Sequence, residues 1–352
     1  MFAAFLGGRA SFFRRFRSAG APRHFLMTTM SESELPRDAK ICVAGHRGIV
    51  GSALVRRLRR GGYTNVVVRT RNELDLLGQA AVRSFMDEQR PDYVFIAAAK
   101  VGGIQANTDH RADFLYENLA IESNLIHAAH AAGVQRLMFL GSSCIYPRDC
   151  AQPIKEEYLL TGPLERTNES YAIAKIAGLK FCEALNAQYG RRYLSVRPTN
   201  LYGPGDNYDL ATSHALPALI RKAHEARQQD AKELAVWGSG RPRREFFYVD
   251  DLADACVFLM ERDPDADLLN IGTGVDLTIA ELAELVMSVV GSSGHIVYDA
   301  RRPDGTPRKL LDVSRLAGLG WRAKTHLRER IALAYAAAPF VTPQHTPRDG
   351  TQ

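Results

Sequence analysis

The sequence predicts an α/β protein built on a doubly wound parallel sheet, joined to a smaller, discontinuous C-terminal lobe. Two observations lead to this fold class. Short, continuously apolar segments alternate with segments of helical length and pattern, which is typical of parallel strands covered by helices on both faces. A glycine-rich turn also joins the first apolar segment to the first helical one, as in doubly wound sheets.

The alternation places the elements in order along the first two hundred residues. Strands are predicted at Lys40–Ala44, Asn65–Arg69, Tyr93–Ala97, Arg136–Leu140 and Arg192–Arg197. The helices between them are predicted at Gly48–Arg60, Gln79–Gln89, Asp109–Ala132 and Glu169–Tyr189. Each strand is short and apolar and each helix runs for three turns or more, so the order β-α-β-α is consistent throughout.

The pattern loosens after about Asn200, where proline, glycine and polar residues gather between short helices such as Ser213–Ala226 and Asp250–Glu261. We expect residues 39–200 to form the sheet domain and residues 201–340 to form mainly a second lobe over the carboxyl ends of the strands. A segment near 245–275, with a strand at Ile271, is expected to return to the main sheet. Residues 341–352 are expected to be a tail.

Residues 1–38 are interpreted as a disordered leader or as a start assigned too early, because Met27 and Met30 both precede the first strand. The segment is rich in arginine and superficially resembles an organelle transit peptide. We favour the early start, since a disordered leader needs no function.

Composition excludes several classes of function. The net charge is +6, but residues 1–30 hold five arginines and no acid, which leaves 6 − 5 = +1 for the rest; a nucleic-acid-binding face is therefore not expected. No apolar run approaches the length of a membrane span. The five cysteines lack the spacing of a disulfide framework or a metal site, which indicates a cytoplasmic protein with free thiols and no metal.

The glycine-rich turn Gly45-x-x-Gly48-x-x-Gly51 directly follows the first strand and opens the first helix. Glycines allow a backbone to approach a pyrophosphate closely, and the helix N-terminus offers free N–H groups and a partial positive charge. The turn therefore predicts a dinucleotide site on a Rossmann fold, although an ordinary strand–turn–helix is the alternative.

The residues after the second strand indicate which dinucleotide binds. They are Arg69-Thr-Arg71, Arg47 lies in the glycine turn, and no acid occurs before Glu73. Arginines accommodate a 2′-phosphate, so NADPH is favoured over NADH unless these arginines are simply solvated.

Tyr171 and Lys175 lie one helical turn apart, after the serine pair Ser142-Ser143. A cation near a phenol favours the phenolate, so we expect Lys175 to lower the pKa of Tyr171. A serine hydroxyl can donate to a carbonyl oxygen as charge develops on it. Cys144 is interpreted as a half-exposed thiol with a depressed pKa that can act as a base, or else as a buried small residue.

Seven runs in the chain resemble those of the GDP-L-fucose synthase family, which belongs to the extended short-chain dehydrogenase/reductases. They are GHRGIVGSA at 45–53, AAAKVGGI at 97–104, FLGSSCIYP at 139–147, YAIAKIAG at 171–178, PTNLYGPGDN at 198–207, VWGSG at 236–240 and PDGTPRKLLD at 303–312. The similarity extends from about Lys40 to Tyr335. The first and fourth runs indicate only the superfamily, whereas GSSCIYP, with Cys144 and His214, indicates this family.

The resemblance implies a conversion of GDP-4-keto-6-deoxy-D-mannose to GDP-L-fucose, by 3,5-epimerisation and then NADPH-dependent reduction at C4. It implies a reductase triad of Ser142, Tyr171 and Lys175, and an epimerisation pair of Cys144 and His214. It also implies substrate contacts at Lys222, Trp237, Arg244 and Asp304. The implied cofactor-binding residues are Gly45, His46, Arg47, Gly48, Ile49, Val50, Gly51, Arg71, Asn72, Glu73, Leu74, Asp75, Leu76, Leu140, Gly141, Ser142, Ser143, Tyr171, Lys175, Pro198, Thr199, Asn200, Leu201 and His214.

Two other functions compete with this one. A 4-epimerase or 4,6-dehydratase of the same superfamily would recycle bound NAD⁺, but Arg71, Cys144 and His214 argue against it. A non-catalytic dinucleotide sensor would have lost part of the triad, which is complete here. The resemblance also implies a homodimer that pairs through Asp109–Ala132 and Glu169–Tyr189.

Overall fold

The computed structural model describes residues 35–301, 304–324 and 326–341. The segment expected to be a leader or an early start, residues 1–38, lies outside the described residues up to position 34, and so does the expected tail from position 342.

Strands and helices alternate along the described chain. The strands are β1 Ile41–Ala44, β2 Val66–Val67, β3 Tyr93–Ile96, β4 Arg136–Leu140, β5 Arg192–Pro198, β6 Asn200–Tyr202, β7 Glu233–Trp237, β8 Arg243–Tyr248, β9 Leu268–Ile271, β10 Asp276–Thr278, β11 His295–Asp299 and β12 Arg308–Lys309. The helices are α1 Ile49–Arg60, α2 Gln79–Gln89, α3 Ile104–Asp109, α4 Arg111–Ala131, α5 Glu169–Tyr189, α6 Ala215–Gln228, α7 Val249–Arg262, α8 Ile279–Val290, α9 Ser314–Gly318 and α10 Leu327–Ala336. Short 3₁₀ turns cover Ser143–Ile145 and Glu156–Tyr158.

The main sheet is six-stranded and parallel, in the order β2-β1-β3-β4-β5-β9. This confirms the predicted fold class, including the strand expected at Ile271, which is the last residue of β9. The chain runs outward from β1 to β2 and then crosses back to β3. In such sheets, ligands bind at the carboxyl ends of the strands where the order reverses, which here is between β1 and β3.

Helices cover both faces of this sheet. Leu54 of α1 and Leu252 of α7 belong to the apolar cluster on one face. Met86 of α2, Leu125 of α4 and Leu179 of α5 belong to the cluster on the other. Because both faces are covered, β1 is buried along its whole length, which is why it occurs in the sequence as a continuous apolar run.

Two of the predicted elements were wrong in detail. The second strand comprises only Val66–Val67, not Asn65–Arg69, because only Val66 and Val67 pair with β1. The helix predicted at Asp109–Ala132 corresponds to α4, Arg111–Ala131, while the short helix α3 that ends at Asp109 was not predicted. The His110 backbone, with φ −120° and ψ +41°, is not helical.

The segment after β5 contributes a third apolar cluster around α6, α8 and α10, which includes Leu219, Leu282 and Ile331. Its strands pair as β10-β8-β12, with β6 beside β8, and as β11-β7. The division at residue 200 stays a prediction. Within the described ranges, no helix combines the length and apolar character needed to cross a bilayer.

Candidate active site

A cavity of about 480 Å³ opens where β1 and β3 end, at the point where the strand order reverses. It is bounded by the glycine turn, by the turn after β2, and by residues 97–100 after β3. Eight of the predicted cofactor residues line it: Gly45, His46, Arg47, Gly48, Arg71, Leu74, Asp75 and Leu76. The structure thus brings the two predicted halves of a dinucleotide site together.

The three glycines of the turn differ in how much space a side chain would have at each position. Gly45 has φ +86°, and a Cβ there would lie 2.6 Å from the backbone nitrogen of Ala98. A Cβ on Gly51 would lie 2.1 Å from the carbonyl oxygen of Gly45. At Gly48 the nearest such atom is the Gly45 oxygen at 3.4 Å. Gly45 and Gly51 are therefore required for the turn to close, while Gly48 leaves room before the N-terminus of α1, where a phosphate would fit.

The turn after β2 carries an exposed arginine beside a carboxylate that is already engaged. The Glu73 carboxylate accepts a hydrogen bond from the Thr70 backbone N–H at 2.7 Å, and this bond lowers the pKa of Glu73. Arg71 lies at the cavity, and within the described part of the chain it has no hydrogen bond or ion pair. An unpaired arginine beside a carboxylate that is already hydrogen-bonded favours a cofactor that carries a 2′-phosphate.

The remaining predicted cofactor residues lie outside the lining of this cavity. Ile49 and Val50 pack against the core beneath α1, and Asn72 is exposed in the turn after β2. Seven more lie at the ends of β4 and β5, the strands that follow β3 in the sheet: Leu140, Gly141, Ser143, Pro198, Thr199, Asn200 and Leu201. There the Thr199 hydroxyl and the Asn200 amide both donate to the carbonyl of Glu245.

Ser142 and Cys144 come together in the 3₁₀ turn that follows β4. The Ser142 hydroxyl caps this turn and accepts from the Cys144 backbone N–H at 3.4 Å. Cys144 is only 8% exposed, and burial raises the pKa of its thiol, although Lys309, Ser142 and Lys175 act to lower it. Of the two interpretations of Cys144, the structure supports the buried small residue and not the half-exposed thiol with a depressed pKa, because burial outweighs the nearby cation.

Tyr171 and Lys175 lie one turn apart on α5, with the lysine ammonium 5.8 Å from the centre of the tyrosine ring. Lys175 is buried, donates to the carbonyl of Leu140 at 3.1 Å and pairs with Glu122 at 2.7 Å. Burial, Cys144 and Glu122 together raise the pKa of Tyr171 well above its usual value. The predicted lowering by Lys175 is thus wrong here, because burial of the phenol dominates its pKa and both Cys144 and Glu122 act in the same direction.

His214 directly precedes the first residue of α6, and its side chain is exposed. Loss of solvent around the ring and the charge of Lys309 lower the pKa of its imidazole. The preceding residues, Thr212 and Ser213, pack against the backbone at Gly103. The loop after β3 therefore holds the histidine on the same side as the cofactor cavity.

Lys309 and Glu122 belong to the site but were not selected from the sequence. Lys309 pairs in register with Arg244, and its charge acts on both Cys144 and His214. Its position in the run at 303–312 was a usable signal. Glu122 stands between Ile121 and Ser123 on α4, where no motif marks it, and only its position opposite α5 identifies it.

The four predicted substrate residues form two pairs in the second lobe. The ammonium of Lys222 lies 5.1 Å from the ring centre of Trp237, which is 51% exposed. Arg244 is partly buried, and burial lowers its pKa while Asp304 acts to raise it. Asp304 accepts from the backbone N–H and the hydroxyl of Ser239, so it also orders the turn at 238–240. A stacking ring with two cations suits a nucleoside diphosphate.

No group of three or more histidine, cysteine or acidic side chains in the described residues is arranged to hold a metal ion.

Comparison with known proteins assigns this fold and site to a class. Residues 41–272 match the model of the NAD dependent epimerase/dehydratase family, and the chain belongs to that family. Within it, the chain is 56% identical over 299 residues to GDP-L-fucose synthase 1 of Arabidopsis thaliana, covering 85% of this chain and 93% of the relative. It is 54% identical over 305 residues to GDP-L-fucose synthase of Escherichia coli K12, covering 84% and 95%.

A solved structure shows the same fold. It is the GDP-mannoheptose C4 reductase from Campylobacter jejuni with NADP bound, which is 39% identical to this chain with a TM-score of 0.80. The match covers 86% of this chain and 99% of that chain.

Proposed function

We propose that this protein converts GDP-4-keto-6-deoxy-D-mannose to GDP-L-fucose, by epimerisation at C3 and C5 followed by NADPH-dependent reduction of the C4 ketone. The observation that carries the proposal is the position of Cys144. Its thiol lies beside Ser142 and within electrostatic reach of Tyr171, Lys175 and Lys309. Reduction alone requires no thiol there, whereas epimerisation requires an additional proton carrier. The names of the two synthases at 54–56% identity support the same reaction.

NADPH is the proposed cofactor, and the 480 Å³ cavity is its proposed site. The open side of Gly48 and the N-terminus of α1 fit a pyrophosphate, and Arg47 and Arg71 fit the 2′-phosphate. When bound, NADPH supplies the hydride for C4. The NADP in the C4 reductase from Campylobacter jejuni supports the same choice.

Epimerisation is assigned to Cys144 and His214. A ketone at C4 makes the protons on C3 and C5 acidic, because the electron pair left on carbon delocalises onto the C4 oxygen. Hydrogen bonds from Ser142 and Tyr171 to that oxygen would stabilise the enolate. One of the two proton carriers removes each proton and the other returns one to the opposite face of the sugar.

Reduction is assigned to the triad of Ser142, Tyr171 and Lys175. Tyr171 donates its proton to the alkoxide that forms at C4, and Lys175 supports the phenolate that remains. The raised pKa of Tyr171 keeps the phenol protonated at neutral pH, which suits a proton donor.

The nucleotide part of the substrate is assigned to the second lobe. Trp237 offers an exposed ring face, and Lys222 and Arg244 offer positive charge to a diphosphate. The lysine at 222 contacts a phosphate as a point charge, without the two-pronged geometry of the arginine that some family members carry there.

The deciding experiment mixes purified protein with GDP-4-keto-6-deoxy-D-mannose and NADPH, with NADH in parallel, and identifies the product. Formation of GDP-L-fucose with preference for NADPH supports the proposal. A GDP-6-deoxy sugar with unchanged C3 and C5 would indicate a simple C4 reductase and would contradict the roles of Cys144 and His214. Absence of NADPH consumption, with NAD⁺ released on denaturation, would indicate a 4-epimerase or dehydratase.

The Cys144→Ser variant tests whether epimerisation and reduction depend on different residues. It should lose deuterium exchange at C3 and C5 by about 10²–10⁴-fold, the usual value of a positioned acid or base, while a supplied, already epimerised ketone is still reduced. Equal loss of both activities would contradict the separate roles.

We further propose that the protein is a cytoplasmic homodimer that pairs through α4 and α5. These two helices pack together and present exposed apolar side chains, namely Tyr116 on α4 and Ile173 and Tyr189 on α5. The described cysteines are all free thiols, as expected in a reducing compartment. Light scattering of the wild type and of Tyr116→Glu, which should weaken the dimer, tests the assembly.

A further inference from the structure

A buried ion pair lies directly behind the proposed reductase triad. Glu122 of α4 is 1% exposed and Lys175 of α5 is 2% exposed, and the carboxylate and ammonium are 2.7 Å apart. Within the described part of the chain, no other hydrogen-bond donor reaches this carboxylate. Lys175 is therefore the partner on which the charge of Glu122 depends.

The packing around the pair makes room for it. A Cβ on Gly178 would lie 2.7 Å from Oε2 of Glu122 and 2.7 Å from the tip of the Phe139 ring. The same Phe139 ring lies 4.7 Å from the lysine ammonium. The absence of a side chain at position 178, one turn after Lys175, thus allows the carboxylate to enter between the two helices and reach the lysine.

Stability alone is a weak explanation for such a pair. Removing two charges from water is costly, and an apolar pair of similar volume is often as stable. Unlike an apolar residue, a carboxylate fixes both the position and the charge of the lysine. Burial raises the pKa of Glu122, while the ammonium of Lys175 acts to lower it and so favours the carboxylate form.

We propose that Glu122 is the positioning residue of the reductase triad, an inference that rests on the proposed function. Its carboxylate holds the Lys175 ammonium against the Leu140 carbonyl and neutralises it, so that Tyr171 rests as a neutral phenol ready to donate its proton. The charged and titratable groups that face this cluster are Cys144 from the turn after β4, Tyr171, Lys175 and Cys182 from α5, and Glu122 itself.

The proton balance of the step follows from this arrangement. At rest, the phenol, ammonium and carboxylate carry no net charge together. When the Tyr171 O–H bond breaks, its proton passes to the C4 oxygen and the cluster becomes −1, with the phenolate beside the ammonium. After the product leaves, a proton from water restores the phenol.

Glu122→Gln tests the inference, because it keeps the shape of the side chain and removes the charge. Glu122 acts to raise the pKa of Tyr171, so its loss should let the phenol ionise at lower pH. The first readout uses free protein: the ultraviolet phenolate titration of Tyr171, obtained as the difference from the matching Tyr171→Phe background, should shift down by about one pH unit or more. The second is the alkaline limb of the pH profile for NADPH-dependent reduction, which should shift in the same direction, with kcat reduced and KM little changed.

Glu183→Gln is the matched control. Glu183 lies on the same helix as Lys175 and pairs with Lys180 at 2.6 Å near the surface, so its loss should leave both readouts at their wild-type values. A titration of Tyr171 that is unchanged in Glu122→Gln would overturn the inference, because the carboxylate would then have only a structural role.

Glu122→Asp covers the case in which the glutamine variant does not fold. It keeps the charge and shortens its reach, so the Tyr171 titration should shift in the same direction by less, and an unshifted titration in this variant also overturns the inference. Failure of the wild type to reduce GDP-4-keto-6-deoxy-D-mannose would refute the proposed function instead, and the titration of free protein would still decide the role of Glu122.

Discussion

Lys309 and Cys144 face each other across a cavity of about 50 Å³ between the turn after β4 and strand β12, and each affects the ionisation of the other. The ammonium acts to lower the pKa of the thiol, and the thiolate acts to raise the pKa of the ammonium. Burial acts in the opposite direction on both groups and prevails. Lys309 therefore lowers the energy needed to form the Cys144 thiolate, although the thiol is not ionised at rest.

Lys309→Met should slow epimerisation by removing this cation. The pKa of Cys144 would rise further, and each unit of increase reduces the thiolate fraction at pH 7 about tenfold. We expect deuterium exchange at C3 and C5 to fall by about that factor or more and to recover partly as the pH is raised. Nuclear magnetic resonance of the sugar protons in D₂O without NADPH measures it. Lys155→Met, at an exposed lysine, should exchange at the wild-type rate, and a Lys309→Met rate equal to wild type would refute the role.

Gly51→Ala and Gly48→Ala should separate the structural glycine of the turn from the one that meets the cofactor. The new Cβ at Gly51 would overlap the Gly45 carbonyl, so we expect a loss of about 1–3 kcal/mol in the free energy of unfolding, as for other overpacked sites. At Gly48 the contact is an ordinary one, so stability should change little while NADPH binding weakens. Urea unfolding and NADPH fluorescence titration measure the two effects. The opposite pattern would contradict the assignment of Gly48 to the phosphate.

Arg71→Ala should reduce the preference for NADPH over NADH. A charge-assisted hydrogen bond contributes about 1.5–3 kcal/mol, so the Kd for NADPH should rise by roughly 10–100-fold while the Kd for NADH stays nearly constant. Isothermal titration with both cofactors measures the ratio. Arg59→Ala, at an exposed position of α1 outside the cavity lining, is the control. Equal weakening of both cofactors would mean that Arg71 does not meet the 2′-phosphate.

The sequence was sufficient for the features that depend on local pattern. The buried strands β1 and β4 are continuous apolar runs, and the sheet and its glycine turn could be predicted from them. Strand β2 is shorter than predicted because its pairing with β1 ends after two residues. The short helix α3 was not predicted, because its six residues are too few to show a helical period.

The electrostatics of the site could not be predicted for a related reason. Glu122 lies 53 positions before Lys175 along the chain, and only the packing of α4 on α5 brings the two charges together. The sequence does not show this packing, so Lys175 was expected to lower the pKa of Tyr171. The same holds for Cys144, whose burial depends on residues from several elements.

Asp206→Asn should stabilise the protein at alkaline pH but not at acidic pH. Burial raises the pKa of Asp206 from its ordinary value of 3.8 to about 7, although hydrogen bonds from the backbone of Asn207 and Gly203 act to lower it. Since the folded pKa lies above the unfolded one, the protonated acid stabilises the fold fully below about pH 4. This contribution is lost as the pH rises towards 7. Asparagine cannot ionise and keeps the acceptor oxygen, so at pH 8 the variant should gain on the order of 2–4 kcal/mol over wild type.

The check is the melting temperature of Asp206→Asn and wild type from pH 4 to pH 8. The difference should be near zero at pH 4 and reach several degrees by pH 8. Asp209→Asn in the same loop is the control of opposite sign, because hydrogen bonds from Thr212 and Ala211 lower the pKa of Asp209. The carboxylate of Asp209 therefore stabilises the fold above its unfolded pKa, and its loss should lower the melting temperature at neutral pH and have no effect in acid. A gain for Asp206→Asn that is the same at pH 4 and pH 8 would show that ionisation of this aspartate is not its cause.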